Sequence, residues 1–473
     1  MPVMPPLPED PAQLPFDLVL ESLEPLRCEE LLRLLPGRRM VFRGWWREKP
    51  VLAKVFTGSA AARDAQRDLG AIAAMFRRGI PVPEPLLPEP VAAGAARVVL
   101  YEYLAGSLPF GEAWRRAGEA RRKALLADLF NLVAGQHEAG MVQEDPHLDN
   151  FLVDAAGAIR AIDGGAYRLG SGPLAGKPAQ RNLGLLLAQF PRSAHAGVMA
   201  ALEVYCRRRG FSDPAAFSRG VCRHADRWRH YRARKRSEKC LRDCTEFLVR
   251  EKGGLRIFQR RELDVRLLDE WISGALSGPA RESDLLKAGN SQTVWVDRIG
   301  DRQVVVKRYN VKTLFHGLRR ILSSSRGRRS WRNAHRVRGY GIPTPRPLAY
   351  IEERHGLRRR AWLVTEKAEG ERADRCFSGR HGDGEKVRKV ASVVAAFAQN
   401  GLVHGDMKAS NFLIGEEGVQ VIDLDSLSRP RWRWLRERGI RADRERFLRN
   451  WKDPELRAAF EVALAEAEAA FRL

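Results

Sequence analysis

One run of residues occurs twice in this chain, and the recurrence commits both halves to a common architecture. Gly140-Met-Val-Gln-Glu-Asp145-Pro-His-Leu-Asp-Asn150-Phe-Leu-Val in the first half is matched by Gly401-Leu-Val-His404-Gly-Asp406-Met-Lys408-Ala-Ser-Asn411-Phe-Leu-Ile in the second. Ile162-Asp163 lies 13 residues past Asn150 and Ile422-Asp423 lies 12 past Asn411. Upstream, Gly-Ile-Pro-Val-Pro-Glu-Pro at 79–85 is mirrored by Gly-Ile-Pro-Thr-Pro-Arg-Pro at 341–347. Self-similarity on this scale marks a duplicated structural unit, and 473 residues suffice for two or three domains with cores of their own.

Local patterns fill in the unit. Val51-Leu-Ala-Lys54-Val-Phe and Val304-Val-Val-Lys307-Arg-Tyr are β-branched runs that predict strands, each carrying a lysine. Helix-like segments follow at 61–78 and 327–340, then strands at 98–103 and 361–367. The order strand-lysine, helix, strand, helix, Asp loop, hairpin with Asp, helices appears twice and predicts an α+β protein.

These residue types in this order suit phosphoryl transfer, which needs mostly positioning and charge neutralisation. A strand lysine can hold α- and β-phosphates. A loop Asp can orient an attacking hydroxyl and accept its proton. An Asn five residues later and an Asp at a strand end offer oxygen to Mg²⁺, a hard cation. The two sets are Lys54, Asp145, Asn150, Asp163 and Lys307, Asp406, Asn411, Asp423. Asp-x4-Asn alone is a weak signal. Its recurrence with Phe-Leu-Val/Ile, a second Asp and a strand lysine is a strong one.

Composition narrows the partners. Hydrophobic residues make up 44% and charged residues 30%, the profile of a folded soluble chain. No apolar stretch approaches the roughly 18 residues of a membrane helix. Residues 1–15 lack a basic segment followed by an apolar one, so the expectation is a cytoplasmic protein. The formal charge is +24. Residues 227–242 hold eight Lys/Arg against one acid, and 315–338 hold eight Arg and no acid. Such clusters either solubilise a face or attract an anionic partner, with peripheral binding to a membrane surface among the options. No aromatic RNA-binding signature accompanies them, so no specific nucleic-acid partner is expected. Six scattered cysteines read as reduced structural thiols, since no zinc-ligand spacing is present.

His404-Gly-Asp406-Met-Lys408-Ala-Ser-Asn411 resembles the catalytic loop of the protein-kinase-like superfamily, and Ile422-Asp423-Leu-Asp425 resembles its metal-binding loop. With Gly-Ile-Pro-x-Pro-x-Pro, Arg328-Arg-Ser-Trp331-Arg-Asn and the Asp443 to Trp451 ending, the second half resembles the bacterial lipopolysaccharide core kinases, which include heptose and Kdo kinases. The resemblance spans roughly 280–455, and less closely 35–190. It implies two tandem protein-kinase-like bilobal domains, each with a small antiparallel-sheet N-lobe and a helical C-lobe. It also implies ATP and Mg²⁺ as cofactors, and a sugar hydroxyl of the lipopolysaccharide inner core as acceptor at the inner face of the inner membrane. Asp406 and Asp145 become the catalytic aspartates, and Lys408 a stabiliser of the transferring group. Domain limits follow at 1–30 (extension), 31–270 and 280–473. The oligomeric state stays open.

Three departures bear on which copy works. Neither half has a Gly-x-Gly-x-x-Gly loop. Lys287-Ala-Gly289-Asn-Ser291-Gln offers backbone N–H groups to phosphates or is an ordinary hairpin turn, and Pro36-Gly37-Arg38-Arg39 is a poorer cradle. Counting back from Gly-Ile-Pro puts Asp68 where a kinase helix carries its acid, but puts Ser330 there in the second half. The first loop has Glu144 and His147 where the second has Gly405 and Lys408. The second copy is therefore the expected catalyst, and a non-catalytic scaffold for core assembly is the alternative.

Overall fold

The computed structural model describes residues 14–289, 292–309, 326–353, 360–377 and 383–469. The chain divides into two compact units, Met1–Asp226 and Arg227–Leu473. Helices and antiparallel sheets are mixed in both, as expected of an α+β protein.

The first unit opens with a six-stranded antiparallel sheet of order β1-β2-β3-β4-β6-β5. Its strands are β1 (Phe16–Leu18), β2 (Leu26–Leu35), β3 (Arg39–Trp46), β4 (Lys49–Phe56), β5 (Val91–Ala93) and β6 (Ala96–Glu102). The 1–30 segment therefore contributes to the sheet through β1 and the start of β2. Side chains alternate across a strand. Val51, Ala53 and Val55 of β4 bury one face, while Lys54 and Phe56 share the other with α1 (Ala61–Arg77). Next come β7 (Leu108–Pro109), α2 (Phe110–Arg116), α3 (Glu119–Glu138), β8 (Met141–Gln143), β9 (Phe151–Val153), β10 (Ile159–Ala161) and β11 (Tyr167–Leu169). The helices α4 (Gly176–Leu187), α5 (His195–Arg208) and α6 (Pro214–Lys239) follow, the last running from the first unit into the second.

The second unit's sheet has seven strands. They are β12 (Phe247–Lys252), β13 (Leu255–Arg260), β14 (Leu285–Lys287), β15 (Gln292–Ile299), β16 (Arg302–Tyr309), β17 (Pro347–Glu353) and β18 (Ala361–Glu366), in the order β12-β13-β17-β18-β16-β15-β14. The run β14-β15-β16-β18-β17 repeats β2-β3-β4-β6-β5 of the first unit. The β12–β13 hairpin extends its far edge, with Ile257 opposite Ile351. Residues 247–260 are thus part of the second unit's sheet, whereas the sequence had grouped them with the first. No repeat marker distinguishes them, and only long-range pairing does. On one face α7 (Val265–Ala275) covers Val304 and Val306 with Leu268 and Trp271. The other face packs Tyr309, Tyr350 and Phe258 with Trp331 of α8 (Arg326–Gly339). Fully burying an aromatic side chain of this kind stabilises by roughly 1.5–3 kcal/mol. Beyond the sheet lie β19 (Glu371–Arg372), α9 (Ala373–Cys376), α10 (Gly384–Gln399), β20 (Phe412–Gly415), β21 (Gly418–Val421), α11 (Arg433–Leu448) and α12 (Pro454–Ala469).

The mirrored Gly-Ile-Pro elements have the same structural task. The carbonyl of Pro81 accepts from Ala161 N at 2.9 Å, and that of Pro343 from Val421 N at 3.0 Å. Each joins the segment after the helix to the strand that leads into Asp163 or Asp423. In the same way Ile162 N and Ile422 N each donate at 2.8 Å to the carbonyl of Asn150 and of Asn411.

Candidate active site

In the first unit Lys54 and Asp68 form a closed pair. Lys54 Nζ donates to both carboxylate oxygens of Asp68 at 2.9 Å. Tyr101 Oη donates to Asp68 Oδ1 at 2.6 Å, and Gly165 N donates to Oδ2 at 3.1 Å. Asp68 is 0% exposed and Lys54 7%. Burial alone would raise the Asp68 carboxyl. The Lys54 charge and the hydrogen bonds from Tyr101, Lys54 and Gly165 outweigh it and hold the carboxyl below its ordinary value. Gly164 is required here, because a Cβ on it would lie 2.1 Å from the carbonyl oxygen of Asp68.

The second unit builds the same lysine clamp from other positions. Lys307 Nζ donates to Asp423 Oδ1 at 2.7 Å and to Asp425 Oδ1 at 3.0 Å. Tyr309 Oη reaches Asp425 Oδ1 at 3.0 Å, Arg326 Nη2 reaches Oδ2 at 3.1 Å, and Ser330 Oγ also donates to Oδ1. Burial raises the Asp425 carboxyl, and Lys307, Ser330 and Tyr309 together bring it below its ordinary value. Ser330 occupies the sequence place of Asp68, and Asp425 that of Gly165. The acid and its neutral donor have changed places between helix and loop.

The Asp–Asn loops are built alike. Asn150 Nδ2 donates to the carbonyl of Asp145 at 3.1 Å, and Asn411 Nδ2 to that of Asp406 at 2.8 Å. Asp163 and Asp423 both take left-handed backbone, with φ of 63° and 58°, a conformation uncommon outside glycine. The surroundings differ. Asp406 lies 3.0 Å from Lys408 and 3.6 Å from Arg446. Its loop is held by Asp443 of α11, which accepts from His404 N at 2.6 Å and from Gly405 N at 3.0 Å. Burial raises the Asp443 carboxyl despite these bonds. His404 is buried, which lowers its pKa, and its Nδ1 accepts from Asp406 N at 3.3 Å. In the first unit Asp145 is exposed, and Glu144 pairs with Arg67 at 3.6 Å and Arg168 at 3.3 Å. His147 turns its Nδ1 to Asp149 N at 3.3 Å. Leu148 N donates to Gln189 Oε1 at 3.1 Å, so a glutamine past the end of α4 holds this loop in place of an aspartate.

The two units differ in the donors they offer a divalent cation. Among the described residues no group of three or more His, Cys, Asp or Glu forms a metal cluster. Mg²⁺ at a phosphate needs only one or two protein oxygens. In the second unit Asn411 uses its amide nitrogen on Asp406, leaving its oxygen for a cation beside Asp423. These residues fit. In the first unit Arg39 Nη1 donates to Asp163 Oδ1 at 3.2 Å and stands 4.0 Å from Asp68. Lys307 can withdraw from Asp423 to Asp425, whereas Arg39 has no carboxylate but Asp163 within hydrogen-bond reach among the described residues, so its guanidinium stays beside the carboxylate that the cation would use and these residues do not fit.

Gly289 sits in the connection between β14 and β15 and is exposed. Ser291 lies outside the described residues. The sequence reading gave no role to Asp425, Tyr101, Tyr309, Asp443 or Arg446. Asp425 carried a signal as the second acid of Asp423-Leu-Asp425, and Asp443 and Arg446 lay within the Asp443 to Trp451 ending.

The model of the Lipopolysaccharide kinase (Kdo/WaaP) family matches residues 282–467, wholly within the second unit. That segment is similar to this family, as the sequence resemblance implied. The chain is 34% identical over 134 residues to the 3-deoxy-D-manno-octulosonic acid kinase of Stenotrophomonas maltophilia (strain R551-3), covering 25% of this chain and 53% of that protein. It is 33% identical over 132 residues to the protein of that name from Xanthomonas oryzae pv. oryzae (strain PXO99A), with the same coverage. To that from Xylella fastidiosa (strain M23) it is 29% identical over 131 residues, or 24% of this chain and 52% of that protein. The chain spans about half the length of the relatives it matches.

Proposed function

We propose that the chain is an ATP-dependent kinase that phosphorylates a sugar hydroxyl of the lipopolysaccharide inner core, and that its second unit is the catalyst. The observation that carries this reading is the convergence of Lys307, Asp423, Asn411 and Asp406 within the family-matched segment. The names of the relatives favour a Kdo hydroxyl over a heptose one. Both units are read as bilobal and protein-kinase-like, supported by the shared strand order and the shared Asn and Pro hydrogen bonds.

In this reading Asp406 orients the acceptor hydroxyl and takes its proton as the oxygen bonds to the γ-phosphorus. The bond from that phosphorus to the β–γ bridging oxygen breaks, and ADP leaves. Lys408, at 3.0 Å from Asp406, faces the charge that spreads over the transferring group. Lys307 stays anchored on Asp425 while it holds the α- and β-phosphates. Asn411 and Asp423 would hold Mg²⁺, which supplies charge neutralisation at the phosphates.

An anionic inner-membrane surface is the proposed docking partner. Trp432 and Trp434 at the start of α11 are each 61% exposed, and Leu435 is exposed beside them. Arg431, Arg433, Arg436 and Arg438 interleave with them. Aromatic rings with cationic neighbours suit a lipid interface of negative charge. From Trp434 to Arg446 the helix runs about 18 Å at 1.5 Å per residue, linking that surface to the Asp406 loop. Among the described residues no helix is long and apolar enough to cross a membrane.

The scaffold alternative was motivated by the absent helix acid and by Glu144, and the Lys307–Asp425 bond at 3.0 Å supports the catalytic reading for the second unit. The test is Mg·ATP-dependent phosphate incorporation into underphosphorylated core oligosaccharide by purified protein. Incorporation is expected, and its absence with authentic acceptor would sink the reading.

A further inference from the structure

The first unit keeps a buried, fully paired strand lysine, yet its hairpin Asp is already neutralised by a side chain. We infer that the first unit binds the phosphates of a nucleotide without a divalent cation, with Arg39 in the metal's place. The inference rests on the kinase-like reading of that unit.

The geometry is specific to Arg39. It is the first residue of β3, directly after the turn at 36–38, and pairs with Phe56 two residues past Lys54. Its guanidinium carbon lies 5.8 Å from the centre of the Phe56 ring. Its side chain is only 15% exposed, and it bridges Asp163 at 3.2 Å and Asp68 at 4.0 Å. Its Nε is buried with no acceptor among the described residues. A guanidinium offers planar, multiple donors to phosphate oxygens and holds its charge at any physiological pH. Mg²⁺ brings charge too, but demands the carboxylate that Arg39 occupies.

The second unit supplies the contrast. The register that pairs Arg39 with Phe56 pairs Gln292 with Tyr309. The corresponding residue is therefore a neutral amide. The cation on Asp423 is Lys307 itself, which has Asp425 to remain with when it turns to phosphates. Lys54 makes no such bridge, since both its bonds go to Asp68. Among the described residues Asp163 has a cation besides the strand lysine, Arg39, whereas Asp423 shares Lys307 with Asp425.

The experiment uses the full chain with Lys307→Met and Asp423→Asn, so that binding reports the first unit, and a fluorescent ADP analogue as probe. Saturable binding in EDTA is expected, with affinity changed less than about tenfold by excess Mg²⁺. Adding Arg39→Gln, which imports the second unit's residue, should weaken binding in EDTA by about tenfold or more and make it respond to Mg²⁺. Tightening by Mg²⁺ of about tenfold or more without Arg39→Gln, or no saturable binding in either buffer, would overturn the inference. This arm decides even if the Arg39→Gln protein does not fold. Phosphate incorporation by the unaltered chain is measured alongside. Incorporation without first-unit binding sinks only this inference, and binding without incorporation sinks only the kinase reading.

Discussion

Lys307 Nζ lies 3.0 Å from Asp425 Oδ1, and this bond restores from the loop the lysine anchor that α8 lacks. Lys54 draws the equivalent anchor from Asp68 on α1, at 2.9 Å. The two clamps differ in which element carries the carboxylate and agree in what surrounds it. Each acid is buried, each accepts from the strand lysine and a tyrosine hydroxyl, and each takes a further bond from the position that holds the acid in the other unit. Tyr101 comes from β6 and Tyr309 from β16, so the tyrosine has moved as well.

Removing Asp425 should therefore cost more than one ion pair. Asp425→Ala leaves Lys307, Tyr309, Ser330 and Arg326 without their common acceptor in a buried place. Loss of about 3–5 kcal/mol is expected, read by denaturant unfolding, together with weaker ATP binding. Ser330→Asp combined with Asp425→Gly copies the first unit and should recover part of both. A double variant no better than Asp425→Ala would mean that the exchange is not functional.

Asp406→Ala should lower kcat by about 10²–10⁴-fold with little change in nucleotide binding, because the proposed mechanism sets this residue to the acceptor hydroxyl and not to the nucleotide. Equal losses in nucleotide affinity and kcat would point to a structural role for the loop instead.

Acid should destabilise the protein well before its ordinary carboxylates titrate. His137 is buried between Tyr205 Oη at 2.8 Å and Asn182 Oδ1 at 3.0 Å, and burial lowers its pKa from 6.5 to about 4. Its neutral ring contributes stability that is fully present above pH 6.5 and lost as pH falls toward 4. Over that window the loss is about 3 kcal/mol. Burial lowers His335 and His404 in the same sense. Asp68 and Asp425 are held below 3.8, so their contribution survives this window and is lost only in stronger acid. Thermal melts against pH should show the decline, and His137→Gln should flatten it. A flat profile from 6.5 to 4 in the unaltered chain would contradict the neutral histidine.

Trp432→Ser with Trp434→Ser should weaken sedimentation with anionic vesicles by about tenfold. Binding by the unaltered chain should fall steeply with salt, as surface charges are screened. Equal binding to zwitterionic vesicles, or an unchanged double variant, would remove the membrane from the account.

The sequence disclosed what is local. Asp145, Asn150, Asp406 and Asn411 sit at fixed spacing in one loop, and Lys54 and Lys307 stand in strands with a clear β-branched pattern. The β12–β13 hairpin was not legible, because its place is set by pairing with β17, nearly a hundred residues on. The contacts of Arg39, Tyr101 and Asp443 were not legible for the same reason. Each reaches a residue distant in sequence, and no spacing rule links them. Asp425 stood in plain view beside Asp423, but a motif of two acids cannot reveal that a lysine lies between them.

The most direct measurement is mass spectrometry of core oligosaccharide from a strain deleted for this protein and complemented separately with the Asp145→Ala and Asp406→Ala forms. With catalysis in the second unit, Asp406→Ala leaves the core without its phosphate and Asp145→Ala restores it. A core fully phosphorylated with Asp406→Ala, by a stably expressed protein, would contradict the account.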